Sequence, residues 1–259
     1  MTAAALELAT ARVLWRRDLI RFFRQPSRVV GALGQPILFW LVIGSGMAGT
    51  FHLPGSGVGY VSFFYPGVLA MVVLFAAIFT TVSVIEDRRQ GFLQAVLAGP
   101  GSRAALVCGK VAGSASVALS QAALFLLLAP AAGFSLATIH WPLLFAALAL
   151  TAVALAALGV ALAWSVESVQ GYHAIQMTLL TPAWVVSGAM FPPDPAHPWL
   201  AAVVRWNPVA YGVSAARRAL AGPLAPGALP GSAGRDLAVL VLFAAAALAL
   251  AILAARRRS

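Results

Sequence analysis

The sequence predicts an all-α polytopic membrane protein. It would have six transmembrane helices, an amphipathic helix at the membrane surface before them, and a re-entrant pair of short helices before the last span. Three observations carry this expectation. Apolar residues make up 61% of the 259 and charged residues 9%, against about 25% charged in ordinary soluble domains. At a mean hydropathy of +0.92, too few polar groups exist to cover the surface of a soluble core. The apolar residues gather into six runs, about 29–48, 63–85, 104–129, 141–164, 172–190 and 237–255, each near the roughly 20 residues that cross about 30 Å of hydrocarbon. Thirteen of the 17 Lys and Arg lie at 12–28, 88–110 and 256–258, which fall on one side when the number of spans is even. That side is the cytoplasm by the positive-inside rule, so both termini are expected there. The same distribution explains the net charge of +10 as topogenic, and no nucleic-acid groove is expected.

Residues 1–28 form the first unit. They do not read as a signal peptide, because the basic region is long and no small-residue cleavage site follows a short apolar core. Nor do they read as a span, since arginines at mid-bilayer cost on the order of 2.5–3.5 kcal/mol each. As a helix they place Leu8, Ala11, Trp15, Leu19 and Phe22 on one stripe and Arg17, Arg21 and Arg24 opposite, with Arg12 and Arg16 nearby. The expectation is an interfacial helix ended at Pro26, its arginines near anionic lipid heads. Residues 29–259 form one six-helix transmembrane unit.

Between the second and third runs the chain reads Glu86-Asp87-Arg88-Arg89-Gln90-Gly91-Phe92-Leu93, then reaches Gly99-Pro100-Gly101. Two acids at the start suit a helix N-terminus, Phe92 pairs with Val96 and Leu93 with Leu97 at i, i+4, and the glycines and proline stop the helix. Residues 86–98 are therefore expected to form a short amphipathic helix on the basic side. The alternative is a solvated loop whose charges only hold topology. In the third run, Gly109 and Gly113 give G-x-x-x-G with Ser114, Ser116 and Ser120 close by, a small-residue face for packing within the subunit or against a second copy. The proline-rich segment 191–235 should hold two short helices. Trp199, Val203 and Trp206 mark one, and Asn207-Pro208 caps the next, which Gly222-Pro223 ends. Such a segment dips back into the outer leaflet.

Several motifs are set aside. Gly44-Ser45-Gly46-Met47-Ala48-Gly49 matches G-x-G-x-x-G but follows no strand. Residues 104–111 miss a P-loop at Ala104 and Val111, so any ATP must be bound by a separate subunit. His52, His140, His173 and His197 lack metal spacing, and no metal or catalytic residue is expected. Cys108, the single cysteine, has no internal partner. None of the seven acids falls in the middle of a span, which disfavours ion-coupled transport.

The run Tyr65-Pro66-Gly67-Val68-Leu69-Ala70-Met71, the 86–93 corner, Leu97-Ala98-Gly99-Pro100 with Arg103 and Gly109-Lys110, and the late Asn207-Pro208-Val209-Ala210-Tyr211 with Arg217 resemble the membrane subunits of ABC-2-type exporters. The bacterial drug-resistance and lipo-oligosaccharide export permeases are the nearest group. The resemblance implies a transport subunit without its own ATPase site, in the bacterial inner membrane. It implies two copies of a partner ABC ATPase that hold ATP and Mg, and a second permease copy, with a homodimer expected. Glu86, Asp87, Arg88, Arg89, Gly91, Phe92, Leu93 and Val96 would form the ATPase-coupling region. Arg12, Trp15, Arg16, Arg17 and Phe22 would belong to the interfacial connecting helix, and Trp199, Trp206, Asn207, Pro208 and Tyr211 to the re-entrant exit segment. Gln35, Ser83, Gln121 and Gln176 are candidate polar contacts along the path of a hydrophobic or amphipathic substrate. Two rival classes are an ATP-independent carrier or channel and a membrane-embedded scaffold or enzyme.

Overall fold

The computed structural model describes residues 2–49, 57–99, 101–193 and 197–257, except the side chains of 3 and 27–29. Of the features read from the sequence, His52, Pro100, Asp194, Pro195, Arg258 and the Arg28 side chain lie outside the described residues. Every regular element among them is a helix. Three are long and apolar enough to cross a membrane, Tyr60–Arg89, Trp141–Ser165 and Ala233–Arg257, and Val30–Gly46 is a shorter apolar helix.

Helix α1 (Ala3–Phe23) starts at Thr2, whose side chain caps Ala5, and α2 (Pro26–Gly46) starts with proline at its first position. A proline there loses no hydrogen bond, because first-turn N–H groups have no helical partner. Helix α3 (Tyr60–Arg89) is the centre of the molecule, with Phe64, Tyr65, Val68, Leu69 and Ile85 at 0% exposure. It packs against α2, α5 (Arg103–Leu126) and α6 (Trp141–Ser165), while α11 (Ala233–Arg257) lies on α6 and α1 lies along α5. Tyr65 stacks on Phe125 with centroids 5.0 Å apart and donates to the Phe125 carbonyl at 2.9 Å. Trp40 donates to Val61 O at 3.0 Å, which ties α2 to the same knot.

Two expectations change here. The acids Glu86 and Asp87 do not open the short helix. Helix α3 runs on through Arg89, and the turn comes at Gly91 with φ +74° before α4 (Phe92–Leu97). Glycine tolerates that left-handed conformation, so the helix extends until it meets one. The acids thus sit at a helix C-terminus, where the macrodipole disfavours them, and need cations from elsewhere. The arginine face of α1 also differs: Arg17 and Arg21 turn inward to those acids, while Leu8 and Trp15 of the apolar stripe are 71% and 37% exposed.

The fifth apolar run is interrupted. It reads α7 (Val169–Ile175), a π-helical turn (Gln176–Leu180), α8 (Thr181–Trp184) and a second π-helical turn (Val185–Ala189) in which Gly188 has φ +78°. Pro182 removes a backbone donor inside the segment, and π-turns accommodate such faults. Gly67 on α3 permits the close crossing: a Cβ there would lie 2.5 Å from Ala189 O and 2.8 Å from its Cα. The two short helices expected after it are present as α9 (Pro198–Trp206) and α10 (Pro208–Ala221). Asn207 caps α10, and Gly222 (φ +95°) ends it.

Candidate functional site

The charged corner is built by three helices meeting at the C-terminal turn of α3. Asp87, at 0% exposure, accepts both Nη groups of Arg17, at 2.8 and 2.7 Å, and Lys110 Nζ of α5 at 2.5 Å. Lys110 also donates to Asp18 of α1 at 3.1 Å and to Ser83 at 3.3 Å. Arg21 pairs with Glu86 at 2.8 Å. Three cations and three carboxylates thus cancel inside one cluster, as buried charge requires. The Arg17 guanidinium also lies 4.0 Å above the Phe92 ring, which seats α4 against α1. Burial pushes the Asp18 carboxyl above its ordinary value, and Lys110 opposes that shift. The hydrogen bonds that Arg17 donates to Asp87 raise its pKa beyond the usual value.

The small-residue face of α5 serves α1. A Cβ at Gly109 would lie 2.7 Å from Ala11 O, and one at Gly113 would lie 3.0 Å from Asp18 Cβ. Trp15 Nε1 donates to Ser116 Oγ at 2.9 Å. Two arginines tie the corner to other helix ends. Arg88 donates to the carbonyls of Trp164 (3.1 Å) and Val166 at the end of α6, and Arg103 donates to Arg256 O at 2.9 Å at the end of α11.

Of the candidate coupling residues, Asp87 and Leu93 are buried, Glu86, Arg88, Gly91, Phe92 and Val96 are half-buried, and Arg89 is exposed. The open face of the corner is Arg89, Gln90, Gln94, Ala95 and Ala98. On α1, Arg12 and Arg16 are exposed and Phe22 is buried. Asp18 and Lys110 were missed as members of this cluster. The available signal was a lysine two turns inside an apolar run, a position that demands a partner.

Beside the corner lies a cavity of about 430 Å³ among α1, α2, α3, α5 and α7. Gln35, Ser83 and Gln121 line it together. Gln176 stands behind the wall, with Oε1 3.2 Å from Nδ1 of His173, which does line it. Its lining combines the charged Asp18, Arg21 and Glu86 with the aromatic Phe22, Phe75 and Phe79, the last two stacked at 5.7 Å. Asp18 Oδ2 and Gln121 Oε1 are buried without a hydrogen-bond partner.

The candidate exit residues sit at the far end. Asn207 Oδ1 accepts from Val209 N at 3.0 Å, its amide reaches Ala183 O, and Tyr211 donates to Arg205 O at 2.8 Å. Pro208 opens α10. Trp199 and Trp206 are 62% and 89% exposed, so the aromatic stripe of α9 faces outward and Val204 faces in.

Over 215 residues the chain is 26% identical to nodulation protein J of Rhizobium leguminosarum bv. viciae, covering 81% of each chain. Over 222 residues it is 28% identical to nodulation protein J of Neorhizobium galegae, covering 82% of each. A putative transport permease, ycf38 of Cyanophora paradoxa, is 30% identical over 90 residues, 34% of this chain and 31% of that one. The sequence model of the ABC-2 type transporter family matches residues 10–221, from within α1 to the end of α10. The chain belongs to the ABC-2 type transporter family, as a membrane-embedded transport permease.

Proposed function

We propose that this chain is the permease subunit of an ATP-driven exporter, moving a hydrophobic or amphipathic substrate out across the bacterial inner membrane. In this reading it has six spans with both termini cytoplasmic, residues 1–28 are a connecting helix, and residues 191–235 are re-entrant near the exit. A separate ABC ATPase, in two copies, binds ATP and Mg, and a second permease copy completes the transporter as a homodimer. The carrying observation is the corner itself. Helix α4 is short and open on one face, and it is seated on a turn whose buried charges lock α1, α3 and α5 together. A push on α4 cannot be absorbed locally, because moving Asp87 alone would strand two cations; it must move the helices as a unit.

The cavity supplies the substrate side of the reading. A charged or hydrogen-bonding head would meet Gln35, Ser83 and Gln121, with Gln176 holding His173, while an apolar part would lie along Phe75 and Phe79. Only contacts that strengthen in one of two states can bias a transport cycle. The unpartnered Gln121 Oε1 is a group that a bound head would satisfy.

Reconstitution tests the proposal. Vesicles holding this permease with its ATPase should transport in an ATP-dependent way, and vesicles holding the permease alone should not. Transport by the chain alone would favour an ATP-independent carrier or channel. In purification, an ATPase of roughly the family's size should accompany the chain, and exchanging the exposed face of α4 for acidic residues should release it. Survival of that association after loss of 86–98 would remove the assigned interface.

A further inference from the structure

At the other end of α3, roughly 35 Å from the charged corner, lies a second cavity of about 440 Å³. Its wall includes Arg217 of α10, the hydroxyl residues Ser62, Ser135 and Thr138, and Gly59 at the N-cap of α3. Among the described residues, none that lines it is acidic. Arg217 is 2% exposed. Its Nη1 donates to Gly227 O at 2.6 Å, and its Nη2 donates to Gly188 O at 2.7 Å and more loosely to the carbonyls of Ala189 and Phe63. The Phe63 ring lies 4.2 Å from the guanidinium carbon. Every one of these partners is a dipole or a ring face, and no carboxylate among the described residues makes an ion pair with it. Asp236, the acid of α11 at this end, is taken by Arg218 at 3.2 Å and by Ser214 at 2.7 Å. Arg217 Nε is buried with no hydrogen-bond partner.

A full cation held out of water by dipoles alone is expensive, and the usual remedy is an anion. Tying the break at Gly188 to the loop at Gly227 explains the Nη contacts. A neutral amide would serve that purpose at lower desolvation cost, and the tie leaves the cavity, which has no acid among its described lining residues, without a role. The loop is also shaped around the cation: Gly227 has φ +75°, and a Cβ there would lie 2.8 Å from Nη1. The first turn of α3 contains no acid, so the positive end of a 30-residue helix meets the same space. We propose that this cavity is an anion site that takes a phosphate-class oxyanion, with Arg217 as its charge and Ser62 and Ser135 as hydroxyl donors. The group could be borne by a lipid head or come free from solution. The inference needs no ATPase and no transport, so it stands or falls apart from the export reading.

The test is thermal unfolding of the full purified chain in detergent, titrated with inorganic phosphate against chloride at constant ionic strength. A ligand that binds the native state raises the midpoint. The expected result is a saturable rise in the native chain and roughly tenfold or greater weakening of the apparent affinity in Arg217→Gln. Because that variant also loses backbone ties, a Ser62→Ala, Ser135→Ala double variant is measured alongside it. It keeps Arg217 and all its carbonyl contacts, and its phosphate response should weaken several-fold while the phosphate-free midpoint stays near that of the native chain. No response in the native chain, or an equal response in the double variant, overturns the site. Repeating the titration in nanodiscs separates the sources. With a phosphate-free glycolipid the response should persist. With phosphatidylglycerol it should vanish if lipid heads fill the site and persist if free phosphate does.

Discussion

Asp87 holds the corner together. It is wholly buried and answers two cations from two different helices. Removing one partner of such a group leaves uncompensated charge in a low-dielectric site, at a cost of about 3–5 kcal/mol. Asp87→Asn should therefore lower the unfolding midpoint sharply. Glu86→Gln, whose pair with Arg21 is 30% exposed on each side, should cost only about 0–1 kcal/mol. Thermal unfolding of the two variants side by side checks this; equal effects would mean the cluster is not the keystone described. The sequence showed the charges of this corner but not their pairing. Glu86, Asp87, Arg88 and Arg89 stand next to each other on the page, whereas Arg17 and Lys110 come from 70 residues before Asp87 and 23 after it. Lys110 read as part of a topogenic basic region and Asp18 as one of seven acids outside the middle of a span, because nothing local shows that they face one another. Arg217 was legible as a residue of the late motif, but its enclosure by the loop around Gly227 was not.

At the scale of elements, most helices were readable and most of their faces were not. Proline and asparagine at Asn207-Pro208 and glycine at 222 punctuate α9 and α10 with local chemistry, so their limits could be read directly. Where α1 docks was not readable, because periodicity reports apolarity and not the partner. α1 packs on the small-residue face of α5 through Ala11, Leu14 and Asp18, a contact set by Gly109 and Gly113 on a distant element. The π-helical turns at 176–180 and 185–189 have no pattern in sequence beyond Pro182 and Gly188, and their closeness to α3 depends on Gly67. Gly67→Ala should cost about 1–3 kcal/mol through overpacking against the Ala189 backbone. Gly34→Ala in α2, with nothing within 4 Å of the added carbon, should be neutral or slightly stabilising by helix propensity. Unfolding midpoints test the contrast, and a harmless Gly67→Ala would show that the crossing is looser than described.

At the scale of the whole molecule, three of the four polar residues proposed for a substrate path line one cavity, and the fourth braces its wall. Their convergence was not visible in a linear reading, since it joins α2, α3 and α5. Gln121→Leu should lower transport of a polar-headed substrate several-fold while leaving the unfolding midpoint near the native value, because Gln121 Oε1 has no internal partner to lose. Phe79→Ala should weaken transport of substrates with long apolar parts more than of short ones, as truncating a hydrophobic contact does. Transport assays in vesicles across a homologous series of amphiphiles check both.

The central claim is that force from a separate ATPase enters through α4. The direct measurement is cross-linking. With Cys108, the single cysteine and itself exposed, replaced by alanine, a new cysteine at Ala95 on the open face of α4 should form a cross-link to the ATPase subunit, and locking that link should stop ATP-driven transport. A cysteine at Ala95 that stays freely reactive to a water-soluble thiol reagent throughout active transport, with no ATPase captured, would contradict the account.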